Sequence, residues 1–278
     1  MSSKQRREKI ECWLSPEDPS TNFNNALRQR HGGSGLWFLQ SDIFTKWKVR
    51  RNSFLWLNGV PGSGKTVLSS AIIKDLLPSR ALLYFYFDFS DTGKQTLESM
   101  VRSLVMQLSW KFEDAREQLD LLYSSSEDGH QKPTRESLCK VLLNMMKQVK
   151  EVWIVLDALD ECCTRKGSPT EGLLSWIRDL YRSEQRNVHL LVTSRPEQDI
   201  QSGLSEFHDD NIVPIQGNLI ANDIRAYIHT RVRQDEGLKR WRARPDVQDE
   251  IETRLMEKVD SMLVLKRFLE DLLSANTC

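Results

Sequence analysis

The sequence predicts an α/β chain: a three-layer sandwich with a parallel five-stranded sheet between helical layers, followed by a small helical region. Three observations carry this. Apolar runs recur at Ser53–Asn58, Ala81–Phe89, Val152–Leu156, Val188–Val192 and, more briefly, Asn211–Ile215, with helical-period segments between them. The longer runs are apolar at nearly every position instead of alternating, as strands covered on both faces require. Strand–helix–strand alternation closes as a parallel sheet with right-handed crossovers. The expected units are a lead-in segment over 1–50, a core over 51–217 and a helical region over 218–278.

The elements follow in order. Ser15–Ser20 reads as a loop, and Thr21 or Asn22 can cap a short helix to about Arg30. His31–Gly35 reads as a flexible turn; its likeness to an esterase oxyanion loop has no G-x-S-x-G elbow to accompany it. Leu36–Leu39 is an apolar plug, expected to pack Trp37 and Phe38 on the core or to bring them beside a bound base, and Ser41 opens a helix over Asp42–Arg50. After the first strand a helix runs to about Leu77. Asp88, Asp91 and Gly93 end the second strand, and a helix with an apolar stripe spans Thr96–Phe112. Ser124–Gly129 is a polar loop, Pro133-Thr134 introduces a helix over Arg135–Val149, and Gly172–Glu184 is helical. Pro214 marks the fifth strand as an edge or a strand end. Asp223–Arg233 and Val247–Leu265 supply the later helices, whose mixed charges read as solvated faces.

Bulk properties narrow the function classes. Lys+Arg and Asp+Glu are 39 each, so no basic field recruits nucleic acid or an anionic membrane. Five scattered Cys without C-x-x-C spacing argue against a zinc site or a disulfide framework. No stretch approaches a membrane span, and the basic N-terminus lacks an apolar signal core. The expectation is a soluble, cytoplasmic protein with no nucleic-acid or membrane partner.

The stretch Gly59-Val60-Pro61-Gly62-Ser63-Gly64-Lys65-Thr66 is G-x-x-x-x-G-K-T between a strand and a helix. Its glycines let the backbone wrap a phosphate with amides pointing inward, and the helix aims its positive end at the same anion. Lys65 is expected to reach the β- and γ-phosphates and the Thr66 hydroxyl to ligate Mg²⁺. The sandwich is therefore predicted to be a P-loop NTPase fold whose ligand is a nucleoside triphosphate. No N-K-x-D stretch reads guanine, so ATP is expected, with GTP open.

Asp157 follows the third apolar run, where an acid points into the crevice at the carboxyl edge of the sheet. It is the expected second Mg²⁺ ligand. Asp160 and Glu161 could orient the attacking water, against the plainer reading of solvated loop carboxylates. Ala158 stands where many P-loop ATPases carry a Glu directly after the metal acid, which predicts slow hydrolysis. The fourth run ends in Thr193-Ser194-Arg195-Pro196. Arg195 is the candidate γ-phosphate sensor, with Thr193 or Ser194 as hydrogen-bonding alternatives, and Pro196 is expected to start a helix. His189 reads as a satisfied core residue, and Cys162 and Cys163 as unreactive.

With these pieces placed, the chain resembles the NACHT domains of STAND-class signalling NTPases, above all fungal NOD-like receptors related to heterokaryon-incompatibility proteins. The residues carrying the resemblance are Gly35–Leu39 with Ser41-Asp42, Gly59–Thr66, Leu156–Cys162 with its small residue and delayed acids, Thr193–Pro196 and Asp223–Ile228. It implies an ATP-binding innate-immunity switch that exchanges nucleotide and self-associates or assembles with related NACHT proteins. Asp260–Leu263 begins a further family match that Val264–Cys278 abandons, which reads as a truncated end. Two alternatives stand beside the slow switch: a non-catalytic fragment that co-assembles with such receptors, and a turnover P-loop ATPase or kinase.

Overall fold

The computed structural model describes residues 3–167, 172–183, 187–207 and 209–258. Five strands, β1 (Ser53–Asn58), β2 (Leu82–Tyr86), β3 (Val152–Asp157), β4 (Val188–Ser194) and β5 (Ile212–Pro214), form one sheet in the order β2-β3-β4-β1-β5. Every pairing is parallel, and the expected five-stranded α/β sandwich is present. Pro214 does sit on an edge strand. The register sets Asn58 beside Ser194, Leu57 beside Thr193 and Tyr86 beside Asp157, so the polar strand ends share one carboxyl edge.

Twelve α-helices are described: α1 (Ser3–Leu14), α2 (Ser20–Gln29), α3 (Leu36–Leu39), α4 (Asp42–Val49), α5 (Lys65–Leu76), α6 (Leu97–Lys111), α7 (Glu113–Ser125), α8 (Arg135–Lys147), α9 (Leu173–Arg182), α10 (Gln198–Gly203), α11 (Gly217–Gln234) and α12 (Pro245–Lys258). They cover both faces of the sheet. Phe54 and Trp56 of β1 join Leu83, Phe85, Ile154 and Leu190 in a core closed by α1 and α6–α10. Leu55 and Leu57 join Val155, Leu191 and Val213 in a second core closed by α2–α5, α11 and α12. Two cores fed by alternate residues explain why the strands read as unbroken apolar runs.

Several boundaries differ from the sequence expectation for local reasons. The helix expected through Phe112 stops at Lys111 because Phe112 is extended (φ −133°, ψ 129°), and α7, not anticipated, begins directly after it. The helix expected from a Thr21 or Asn22 cap begins at Ser20, whose backbone N–H donates to Asp18 Oδ1 at 2.8 Å. Pro196 lies two residues before α10, which follows Glu197. The second strand ends at Tyr86, and Phe89 is exposed. α1 escaped notice because its buried residues, Ile10, Trp13 and Leu14, fall in its last two turns. Ser41 caps α4 as expected, accepting from Phe44 N at 3.2 Å. Residue 184, the stretch 259–265 and the tail Asp260–Cys278 lie outside the described residues. Among the described residues no helix is long and apolar enough to cross a membrane.

The lead-in segment is fastened to the sheet. Trp47 Nε1 donates to Leu190 O at 3.2 Å, and the Ser53 hydroxyl donates to Trp47 O at 2.7 Å and meets His189 Nδ1 at 2.8 Å. His189 is buried, stacked on Trp153, and burial lowers its pKa. The folded protein therefore resists a proton that the unfolded chain accepts near pH ~6.5. Stability is full above that value and declines as pH falls below it. We expect the unfolding midpoint to drop more between about pH 7.5 and about pH 5.5 for the wild type than for His189→Asn, measured by thermal denaturation.

Candidate functional site

The loop between β1 and α5 folds as its glycines require. Gly62 (φ 76°) and Gly64 (φ 82°) take left-handed backbone, which a side chain would oppose. A Cβ on Gly59 would lie 2.5 Å from Ser63 Oγ and 3.3 Å from Ile215 Cβ, so the loop closes only around glycine there. Val60 and Pro61 are exposed at its crest and Ser63 is buried at its base. Gly64 immediately precedes α5, whose first residue is Lys65. Lys65 Nζ bends back over the loop, donating to Gly59 O at 2.7 Å and Val60 O at 2.9 Å. Burial holds its amine below the ordinary lysine value, against the pull of Asp160 and Asp157.

Asp157, at the end of β3, meets α5 and β4. Thr66 Oγ1 donates to its Oδ2 at 2.9 Å; Ser69 Oγ and Thr193 Oγ1 donate to its Oδ1 at 2.5 and 2.7 Å. The carboxyl is 2% exposed, and burial raises its pKa against those three hydroxyls and Lys65. The two residues expected to ligate Mg²⁺, Thr66 and Asp157, are thus side by side. Among the described residues no group of three or more His, Cys, Asp or Glu could hold a metal. One carboxylate and one hydroxyl of hard oxygen character still suit Mg²⁺, which keeps water and takes the rest of its shell from phosphate.

Past Asp157 the chain turns sharply through Ala158 (φ 58°, ψ 54°) into a short 3-10 turn, Leu159–Glu161. That turn delivers Asp160 to Arg195: Asp160 Oδ1 accepts from Arg195 N at 2.9 Å, and Oδ2 pairs with Arg195 Nε at 3.1 Å. Asp160, read as a water-orienting acid, has both oxygens engaged by the candidate sensor. Glu161 Oε2 accepts from Phe89 N at 2.9 Å, and burial raises its pKa, with Asp160, Asp157 and Asp88 adding to the rise. The hydroxyls of Thr193 and Ser194, read as hydrogen-bonding alternatives to Arg195, are engaged within the protein. Both residues are fully buried; Thr193 serves Asp157, while Ser194 Oγ accepts from Trp56 Nε1 at 2.8 Å and donates to Arg195 O at 2.8 Å. Of that triplet only the Arg195 side chain, 45% exposed, looks outward. Cys162 is buried with its thiol pushed up to about 11, as an unreactive cysteine would be.

Behind the loop lies a cleft that sequence reading missed. Ser63, Gly64, Val67 and Leu68 form one wall, Gln29, His31, Gly35 and Trp37 a second, and Ile215, Ile220, Asp223 and Tyr227 a third. Its cavity volume is about 160 Å³, smaller than the ~300–1,000 Å³ of typical small-molecule sites. Polar ties join its walls: Asp223 Oδ2 accepts from Gly35 N at 2.8 Å, and His31 Nε2 meets Thr230 Oγ1 at 2.8 Å. The turn expected to be flexible at His31–Gly35 is thereby ordered. Trp37 lines the cleft, whereas Phe38 is buried against Phe44. Asp223 and Gly35 are 188 residues apart, so no local pattern could have paired them.

Two comparisons with known proteins place the chain among its relatives. The chain is 24% identical over 222 residues to the vegetative incompatibility protein HET-E-1 of Podospora anserina, covering 72% of this chain and 15% of that relative. It therefore spans about 15% of the length of the curated relative it matches. Residues 33–195 match the family model described as Nephrocystin 3, N-terminal, a span that takes in the loop, Asp157, the turn after it and Arg195. The two matches bear out the resemblance to fungal NACHT-type proteins, and with more than half of its length inside that family model, the chain belongs to the nephrocystin 3 N-terminal family.

Proposed function

We propose that this chain binds a nucleoside triphosphate with Mg²⁺, ATP first and GTP as the alternative, and hydrolyses it slowly as the switch module of a NOD-like signalling protein. The observation that carries the reading is the hydrogen bond of 2.9 Å from Thr66 Oγ1 to Asp157 Oδ2, beside a glycine loop that only a small backbone can close. Gly59, Pro61, Gly62, Ser63 and Gly64 shape the amide cradle for the phosphates, and Lys65 exchanges its loop carbonyls for phosphate oxygens. Thr66 and Asp157 would hold Mg²⁺, which when bound neutralises charge on the phosphates. The cleft behind the loop takes the base against Trp37 and Tyr227. Arg195 senses the terminal phosphate, for which it must leave Asp160. Glu161 is the remaining acid for water activation.

Slow turnover follows from Ala158 and from the engagement of Asp160. That engagement also favours a second reading, a non-hydrolysing module that acts by co-assembly with related NACHT proteins in the cytoplasm. Calorimetric titration with ATP, ADP, GTP and CTP in Mg²⁺ is expected to give one-to-one saturation with a purine nucleotide; absence of saturation by any of them rejects the proposal. Multiple turnovers at about 1 s⁻¹ or faster would instead support a motor ATPase or kinase. No turnover, with size-exclusion elution that shifts on adding ATP, supports the co-assembly reading.

Asp157→Asn separates affinity from stability. Because burial raises the folded pKa, an ionised Asp157 costs the fold energy at neutral pH; its contribution is fullest below about pH 3.8 and declines as pH rises. An amide of the same shape keeps partners for the hydroxyls without the charge. The variant is expected to unfold at a midpoint a few degrees higher, corresponding to about 1 kcal/mol, while losing its Mg²⁺-dependent nucleotide affinity.

A further inference from the structure

The Thr193 hydroxyl occupies a junction that the switch chemistry leaves unexplained. It donates to Asp157 Oδ1 at 2.7 Å and accepts from Ala158 N at 3.0 Å, with Thr193 fully buried. A hydroxyl has one proton, so a bond given to the carboxylate leaves it only its lone pairs for the amide, and both bonds are fixed in direction. The β3–β4 ladder ends at Leu156 opposite Val192. Beyond that pair the N–H of Ala158, a residue 9% exposed, finds its partner in a side chain. Ala158 is also one of the few described non-glycine residues with left-handed backbone, a conformation that is unfavourable for an L-residue and persists only when its surroundings hold it.

We propose that Thr193 is a positioning residue that sets the metal-facing oxygen of Asp157 and the turn after it through one hydroxyl. With Ser69 and Thr193 both on Oδ1, that oxygen is filled, and Oδ2 is left facing Thr66. The same hydroxyl pins Ala158 in the bend that carries Asp160 to Arg195. Metal acid and sensor pair are therefore held in register by a side chain on the neighbouring strand.

The inference rests on the Mg²⁺–nucleotide reading above, and its test distinguishes the two. Dissociation constants for ATP are measured in Mg²⁺ and in EDTA for the wild type, Thr193→Val and Thr193→Ser, with thermal unfolding as a check on folding. Thr193→Val, nearly isosteric but without the hydroxyl, is expected to lose about 10–100-fold of affinity in Mg²⁺ and to match the wild type within about twofold in EDTA. Thr193→Ser keeps the hydroxyl and is expected to keep the Mg²⁺ enhancement. A Val variant that retains the enhancement, or that weakens equally in both media, overturns the proposal, as does a Ser variant that loses it. Wild-type protein that binds ATP without any Mg²⁺ dependence, or not at all, defeats the underlying reading instead. If Thr193→Val does not fold, the same comparison is made in Ala158→Gly/Thr193→Val, where glycine takes the left-handed turn unaided.

Discussion

Lys65→Ala is expected to weaken nucleotide binding about 100-fold or more, with the unfolding midpoint of the free protein within a few degrees of the wild type. The affinity loss follows from removing two or more charge-assisted hydrogen bonds to phosphate, each contributing about 1.5–3 kcal/mol. The small stability effect follows from the contacts Lys65 makes within the protein. Its amine contacts Gly59 O and Val60 O, yet burial disfavours its charge, so the two tendencies oppose each other. Lys65→Arg should not rescue binding, because a planar fork does not reproduce a point charge wrapped by a tight loop. Calorimetric titration beside thermal denaturation decides the matter: undiminished affinity in the alanine variant rejects the site.

Trp47→Ala is the largest stability change we expect, about 3–5 kcal/mol, the range of buried aromatic truncations. At roughly 2–4 °C per kcal/mol for a protein of this size, the midpoint should fall by about 10 °C. Trp47 is 3% exposed, stacks on Phe44 with ring centroids 5.6 Å apart, and donates its indole N–H to Leu190 O. Its own carbonyl receives the Ser53 hydroxyl, so the truncation opens a cavity and loosens the polar joint between α4 and the sheet. Trp47→Phe, which keeps the stacking and loses only the hydrogen bond, should cost less than half as much. A loss under about 1 kcal/mol for Trp47→Ala, read from denaturant unfolding, would mean that the lead-in segment is not an integral part of this core.

How much was legible divides along physical lines. The loop between β1 and α5 could be read because its signals are local: glycines that accept positive φ, a strand before and a helix after. Asp157 could be read because an acid ending a buried parallel run has one crevice to face. The helix over 113–125 could not, since nothing but the extended backbone of Phe112 separates it from the helix before. Nor could Thr193: a hydroxyl at a strand end offers the same sequence signal whether it faces a phosphate or a neighbouring carboxylate.

The sequence by itself determined the sheet, most of its flanking helices and the glycine loop with the acid that ends β3, because strand period, glycine geometry and a strand-end carboxylate act within a few residues. The tertiary structure alone decided that Arg195 is held by Asp160, that Thr193 turns inward to Asp157, and that Gly35 and Asp223 close one cleft. Those pairings join residues 35 and more positions apart. Which hydroxyl or carboxylate meets which partner there is settled by strand register and helix packing, quantities that no window of neighbouring residues contains.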